Sequence, residues 1–189
     1  MRNALTLFFI ISISFSSMMN HFNYNGQYNG IEKINFQLGD IQLSQVADNY
    51  KFDYNYTGFV MEEGMPELPV FTTMIEIEPG FNYTVKYNLV SYQTHSNKPI
   101  RATGEMTLDK AKHDNGLIRQ MTRHNIFPEE QVKLSEPMVM RGIEIIHLEV
   151  IPFSFNPAIN ELISYDEIQI ELIKGNSRQE LKNRNINKN

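Results

Sequence analysis

The side chains of this 189-residue chain best suited to acid–base or metal chemistry are its five histidines, His21, His95, His113, His124 and His147. A zinc site on secondary structure needs ligands at close spacing, such as an i, i+4 pair on one helix face, and no two of these histidines stand that near. His147 lies in an apolar run, where it reads as a hydrogen-bonded or rim side chain. Glu62 and Glu63 are adjacent, so on a strand they point to opposite faces and do not form an acid–base pair. Asp109 and Asp114 flank a lysine-bearing stretch without the alternating acidic ligands of a calcium loop. No Gly-x-Ser-x-Gly elbow exposes a serine, and no glycine-rich loop opens a helix to cradle phosphate. The chain has no cysteine, which removes a thiolate nucleophile, a thiolate metal site and a lipid-carrying cysteine. No catalytic residue, cofactor or metal is expected.

The elements that position the remaining groups begin with "MRNALTLFFIISISFSS". A cationic start at Met1 and Arg2, an apolar run from Ala4 to Phe15 and small residues from Ser14 to Ser17 predict a secretory signal peptide over residues 1–17. The run is shorter than the roughly 20 apolar residues a bilayer span requires. The mature chain then starts near Ser17 or Met18, secreted or periplasmic or at the cell surface, with no membrane partner after cleavage. A formal charge of −5 is mild and spread out, so nucleic acid and anionic membranes are not implied partners. Without disulfides, stability must come from packing and strand pairing.

Residues 18–30, with "HFNYNGQYNG", read as an Asn/Gly/Tyr-rich lead-in whose Asn-Gly pairs favour turns. From Ile31 the patterning changes. Tyr50, Phe52, Tyr54 and Tyr56 alternate with polar residues, as do Tyr83, Val85, Tyr87 and Leu89, where the phase then slips to Val90 and Tyr92 as at a bulge. The Asn55 and Asn82 Asn-Tyr-Thr sequons fall within these runs and read as strand residues first. Further strands are expected at 31–38, 41–46, 70–77, 143–150 and 168–172, separated by turn signals at 38–40, 63–66, 78–80 and 155–157. The pattern predicts an all-β fold, an antiparallel β-sandwich over residues 31–173. A long polar loop over residues 93–136 interrupts it, with room for a short helix at Thr107–Ala111 or Leu117–Arg123, and loops of that length are usually functional or disordered. Residues 174–189 read as a basic polar tail or linker.

Two segments carry a family likeness. "EGMPELPVFTTMIEIEPG", from Glu63 to Gly80, and "FPEEQVKLSEPMVMRGIEIIHLEVIPFSFNPAINELISYDEIQIEL", from Phe127 to Leu172, resemble the prodomains of gingipains, secreted bacterial cysteine peptidases of the C25 class. The order of the Gly-x-Pro-x-Leu-Pro-Val segment, Phe-Pro lead-in, Arg-Gly pair, Asn-Pro turn and Leu-x-x-Tyr strand makes the joint match specific. The resemblance implies a β-sandwich prodomain that assists folding of a C25-type catalytic domain and keeps it latent during type IX export. That partner is expected in cis in a longer precursor or in trans. It also implies a basic loop side chain that enters the peptidase's specificity pocket. Lys98, Arg101, Lys110, Lys112, Arg119 and Arg123 are candidates, with Arg101 first and Lys110 second. In a precursor, Lys174, Arg178, Lys182 and Arg184 are expected processing sites. A competing expectation is a stand-alone adhesion or carbohydrate-binding sandwich, with Tyr50, Tyr54, Tyr56, Tyr83, Tyr87 and Tyr92 as an exposed aromatic platform. A third, an enzyme with an unrecognised site, has no motif behind it.

Overall fold

Aromatic and β-branched residues recurring at every second position suit a pleated, half-buried surface, and here they pair into antiparallel ladders. The computed structural model describes residues 21–52, 58–103 and 126–178. The expected signal peptide, Tyr54, Tyr56, the Asn55 sequon and both expected short helices lie outside the described residues.

Among the described residues twelve strands form: β1 (Phe22–Tyr28), β2 (Ile31–Gln37), β3 (Leu43–Val46), β4 (Asn49–Phe52), β5 (Gly58–Phe59), β6 (Pro69–Ile77), β7 (Phe81–His95), β8 (Val132–Leu134), β9 (Met138–Met140), β10 (Ile143–Val150), β11 (Phe153–Asn156) and β12 (Glu161–Ser177). The centre of the first sheet is β12. It pairs with β7 along one edge and, on the other, with β11 near its start and β2 beyond; β1 extends the sheet from β2. In the second sheet β10 is central, with β6 on one edge and both β8 and β9 on the other, while β5 adds to β6. A separate hairpin, β3–β4, closes one end of the core.

The two sheets bury their facing sides against each other, as an antiparallel sandwich requires. Phe36 of β2 meets Phe71 of β6 edge-on with ring centroids 5.2 Å apart, a geometry that favours the ring quadrupoles. Around this contact Ile34, Ile168, Ile170 and Leu172 from the first sheet pack with Ile75, Ile146, Leu148 and Val150 from the second, all buried. Phe52 of the hairpin packs on Phe153 of β11 at 4.7 Å. Opposite Leu172 in the ladder stands Glu32, whose partial burial raises its carboxyl above the usual carboxylate range by desolvation.

Turn chemistry sets the hairpins. Asn29 and Gly30, at φ 53° and 76°, join β1 to β2, and Arg141 and Gly142, at φ 51° and 86°, join β9 to β10. Positive φ at both central residues is the primed turn whose twist matches antiparallel strands. The first Asn-Gly pair instead sits where the β1 register shifts between Tyr24 and Gln27, with Gly26 at φ 92°.

The structure differs from the sequence reading in four places. Part of the expected lead-in is strand β1, held by buried Phe22 and by the Tyr24 hydroxyl, which reaches Thr73 of β6 at 3.2 Å. Its polar composition suits an edge strand. Residues 132–134 and 138–140 form the short strands β8 and β9, too brief to show a period. The last strand runs on to Ser177, past the expected boundary at 173. At the expected bulge the ladder passes over Val90 and Asp166. These two omissions offset each other, so the inward phase does not slip, and Val90 and Tyr92 remain on the exposed side.

Phe153 is fully buried, so Phe153→Ala is expected to cost about 3–5 kcal/mol through lost transfer energy and a cavity. The half-exposed control Val90→Ala should cost less than about 1 kcal/mol. Urea denaturation of the two variants measures the difference.

Candidate functional site

One end of the sandwich is organised around the base of the segment 104–125, which itself lies outside the described residues together with Lys110, Lys112, Arg119 and Arg123. The chain entering it is tied down residue by residue. Tyr50 donates its N–H to the Pro99 carbonyl at 2.7 Å, and Arg101 donates to the Tyr50 carbonyl at 3.0 Å. Glu67 donates to the Arg101 carbonyl at 2.8 Å, and Thr103 donates to Met65 at 2.8 Å while accepting from Gly64 at 3.0 Å. The Thr103 hydroxyl donates to the Val60 carbonyl at 2.9 Å. Pro66 and Pro99 sit where the ladder asks only for an acceptor, the use to which a residue without an N–H is suited.

Side chains reinforce this anchor. The Arg101 guanidinium places Nε 2.6 Å and Nη2 2.5 Å from Oε2 of Glu67, with both side chains largely shielded from water. Charge-assisted bonds of that length are the stronger kind. The Lys98 ammonium lies over the Tyr50 ring, 4.1 Å from its centroid. Arg101, singled out in the sequence as a free loop cation, is therefore engaged within the domain.

The chain leaving the segment is anchored as firmly. Phe127 and Phe155 exchange two backbone hydrogen bonds, at 2.9 and 2.8 Å. Gln131, buried, donates from Nε2 to Ser154 Oγ at 3.0 Å and accepts from the Tyr87 hydroxyl at 3.3 Å, and Ser154 Oγ meets the Tyr165 hydroxyl at 3.1 Å. A satisfied buried polar network of this kind rigidifies its surroundings. Both ends of the segment thus rise from fixed supports.

Residues 23–188 match the C25 propeptide family. The chain belongs to that family. Two solved structures share the fold. One is the complex of the RgpB pro- and mature domains of Porphyromonas gingivalis, with 17% identity over 84% of this chain and 85% of that one and a TM-score of 0.63. The other, on the zymogenic latency of gingipain K from the same organism, has 16% identity over 82% of this chain and 92% of that one and a TM-score of 0.66. No curated protein sequence matches the chain. As a C25 propeptide it is not a catalytic domain, and its described histidines serve structure. His21 Nδ1 contacts the Gln37 carbonyl at 2.8 Å, His95 Nε2 contacts Ser164 Oγ at 3.0 Å, and His147 stands opposite Met74 in the β10–β6 ladder. Among the described residues no three of His, Asp and Glu gather as metal ligands; His113 and His124 lie outside them.

Among the described residues the tyrosines of the C25 propeptide do not assemble a platform; Tyr54 and Tyr56 lie outside them. Tyr50, Tyr83 and Tyr87 pack against the core, whereas Tyr92 is 65% exposed on the outer side. Alternation along β4 and β7 turned Tyr50, Tyr83 and Tyr87 inward, against the expectation of an exposed aromatic platform at those three positions.

The four expected processing cations divide. Lys174 lies in β12, where its N–H donates to the Gly30 carbonyl at 3.0 Å and its ammonium pairs with Glu78 and lies 3.6 Å from the Phe81 ring centroid. Arg178 pairs with Glu144 of the other sheet and donates its N–H to the Gly80 carbonyl at 2.8 Å. A Cβ at Gly175 would come within 3.1 Å of the Asn82 carbonyl oxygen, which explains a glycine in so closely paired a strand. Lys182 and Arg184 lie outside the described residues. Glu67, Gln131, Glu78 and Glu144 were missed in the sequence. Each is far along the chain from its partner, so no spacing signals it.

Two outcomes follow from these anchors. A double-mutant cycle on Arg101→Ala and Glu67→Ala should return a coupling of about 1–2 kcal/mol in urea denaturation, since the pair is partly desolvated. Trypsin should cut the folded wild type after Lys174 and Arg178 at a rate set by local opening. Glu144→Ala should accelerate the cut after Arg178 specifically, as read by timed mass spectrometry.

Proposed function

We propose that this C25 propeptide assists the folding of a C25-type cysteine peptidase domain and holds it latent by inserting a loop cation into its specificity pocket. The observation that carries the reading is the rigid base beneath the segment 104–125, in a chain whose family is defined by propeptides of this peptidase class. A loop sprung from fixed supports loses less conformational freedom on binding, so more of its contact energy appears as affinity. A cation desolvated in an acidic pocket forms charge-assisted hydrogen bonds that hold without any chemistry by the propeptide.

Of the two cations ranked first, Arg101 is already paired with Glu67, which favours Lys110 as the inserted side chain and gives Arg101 the role of supporting it. Export through a signal peptide over residues 1–17, and the type IX route, belong to the same proposal. So does maturation cleavage after Lys182 or Arg184 in preference to Lys174 and Arg178, whose side chains hold the end of the last strand to the domain. The inhibitory contact requires the same geometry whether the partner is joined in one precursor or met in trans.

Titrating the purified chain against a gingipain-type catalytic domain tests the reading. Inhibition should be nanomolar or tighter, and Lys110→Ala should raise the inhibition constant by about 100-fold, the size of a central interface anchor. Arg101→Ala should raise it less and lower stability as well. A catalytic domain that stays fully active in a large excess of the chain would refute latency.

A further inference from the structure

The outer faces of the two sheets differ in their chemistry. On the first, Lys33, Glu171 and Lys86 stand in one cross-strand row and Asn35, Gln169 and Asn88 in the next, a solvated surface. On the second, the register of two ladders gathers methionines from separate stretches of the chain. Met74 of β6 stands opposite His147 of β10, and along the other edge of β10 Met138 and Met140 of β9 stand opposite Ile145 and Ile143. Ile146, Leu148 and Val150 are buried against the core, so the alternation of the strand turns Ile143, Ile145 and His147 outward, with the methionines beside them. Met74 is 58% exposed and Met138 39%.

His147 adds a nitrogen to this face. Its backbone accepts the Ser135 N–H and donates to the Ser135 hydroxyl, both at 2.9 Å. Unlike those of His21 and His95, its half-buried ring has no hydrogen-bond or ion-pair partner among the described residues. Met74 is directly opposite His147, and Met138 is its diagonal neighbour across the other edge. Opposite positions hold their Cβ atoms about 5 Å apart and diagonal ones about 7–8 Å, spans that unbranched thioether arms bridge.

We propose that Met74, Met138 and His147 form a binding site for Cu(I), with two thioether sulfurs and one imidazole nitrogen around the ion. Thioethers are soft ligands that select Cu(I), and imidazole suits copper as well. In a chain without cysteine, thioethers are the soft donors available. The carboxylates of the same face, Glu76 and Glu149, are hard ligands that suit other ions. Ile145, only 4% exposed although it stands on the outer face, gives the site an apolar floor that limits access of water to the metal. A purely packing role would account for Met138, which stands beside Ile145. It leaves unexplained both the exposed Met74 and the unpartnered ring between the two. The site involves neither the segment 104–125 nor the peptidase.

Titration of the full chain with Cu(I), under anaerobic reducing conditions and against the chromophoric chelator bicinchoninate, tests the proposal. The wild type is expected to hold one Cu(I) per chain, and Met74→Leu, Met138→Leu and His147→Gln should each weaken binding by about tenfold or more, as loss of a ligand requires. Leucine keeps the volume of methionine, so the fold persists, which urea denaturation checks. His21→Gln, at the start of β1, should match the wild type. X-ray absorption of the copper-loaded chain should show two sulfurs and one nitrogen, with one sulfur fewer in Met138→Leu. A wild type that takes no copper from the chelator overturns the site. So does copper held equally well by all three variants, which would place the ion on other residues, and so does an equal loss in His21→Gln.

Discussion

Backbone N–H and C=O groups shut between two packed layers must find partners, because each one left unpaired carries the full cost of its desolvation. In this propeptide the central strand β12 meets that demand on both edges at once. Its seventeen residues face β7 along one side and β11 and β2 along the other. The register of these ladders decides which side chains look inward, and the Phe36–Phe71 contact then fixes the second sheet against the first. Offsetting irregularities at Asp166 and Val90 preserve that register from Leu162 to Lys174, and it shifts only at the strand's end, before Ser177. A single uncompensated slip would have turned the inward set of half a strand to water.

The fold uses this rigidity at two places. At the base of the segment 104–125 the main chain is woven into residues 60–67 and Phe155 by paired hydrogen bonds, and the Arg101–Glu67 and Gln131 contacts lock its two supports. Where the last strand ends, Lys174 and Arg178 are held by Glu78 and Glu144, residues at the end of the second sheet and the turn after it. Cations that look alike in the sequence thus have different standing: Arg101, Lys174 and Arg178 tie the domain together, whereas Lys110, Lys182 and Arg184 lie outside the described residues.

Several features were legible in the chain alone. Alternation at Tyr83, Val85, Tyr87 and Leu89, and the apolar run at 143–150, marked long strands because a half-buried pleat demands a period of two. The second Asn-Gly pair announced a turn through its tolerance of positive φ, whereas the turn at Arg141 and Gly142 was not anticipated. The ordered motifs between Glu63 and Leu172 carried the family. Short or polar strands escaped: β8 and β9 are too brief for a period, and β1 owes its place to an edge of β2 and to the reach of Tyr24, neither of which composition expresses.

What the sequence by itself determined is the all-β class, the family and the absence of a cysteine nucleophile, since these depend on local period, motif order and residue type. The tertiary structure alone decided the fate of individual charges and aromatics. Arg101 meets Glu67, Arg178 meets Glu144, and Tyr83 and Tyr87 turn inward while Met61 stays in water. Those outcomes depend on contacts between residues tens of positions apart, and only the register of the ladders and the packing of the two sheets bring such residues within bonding distance.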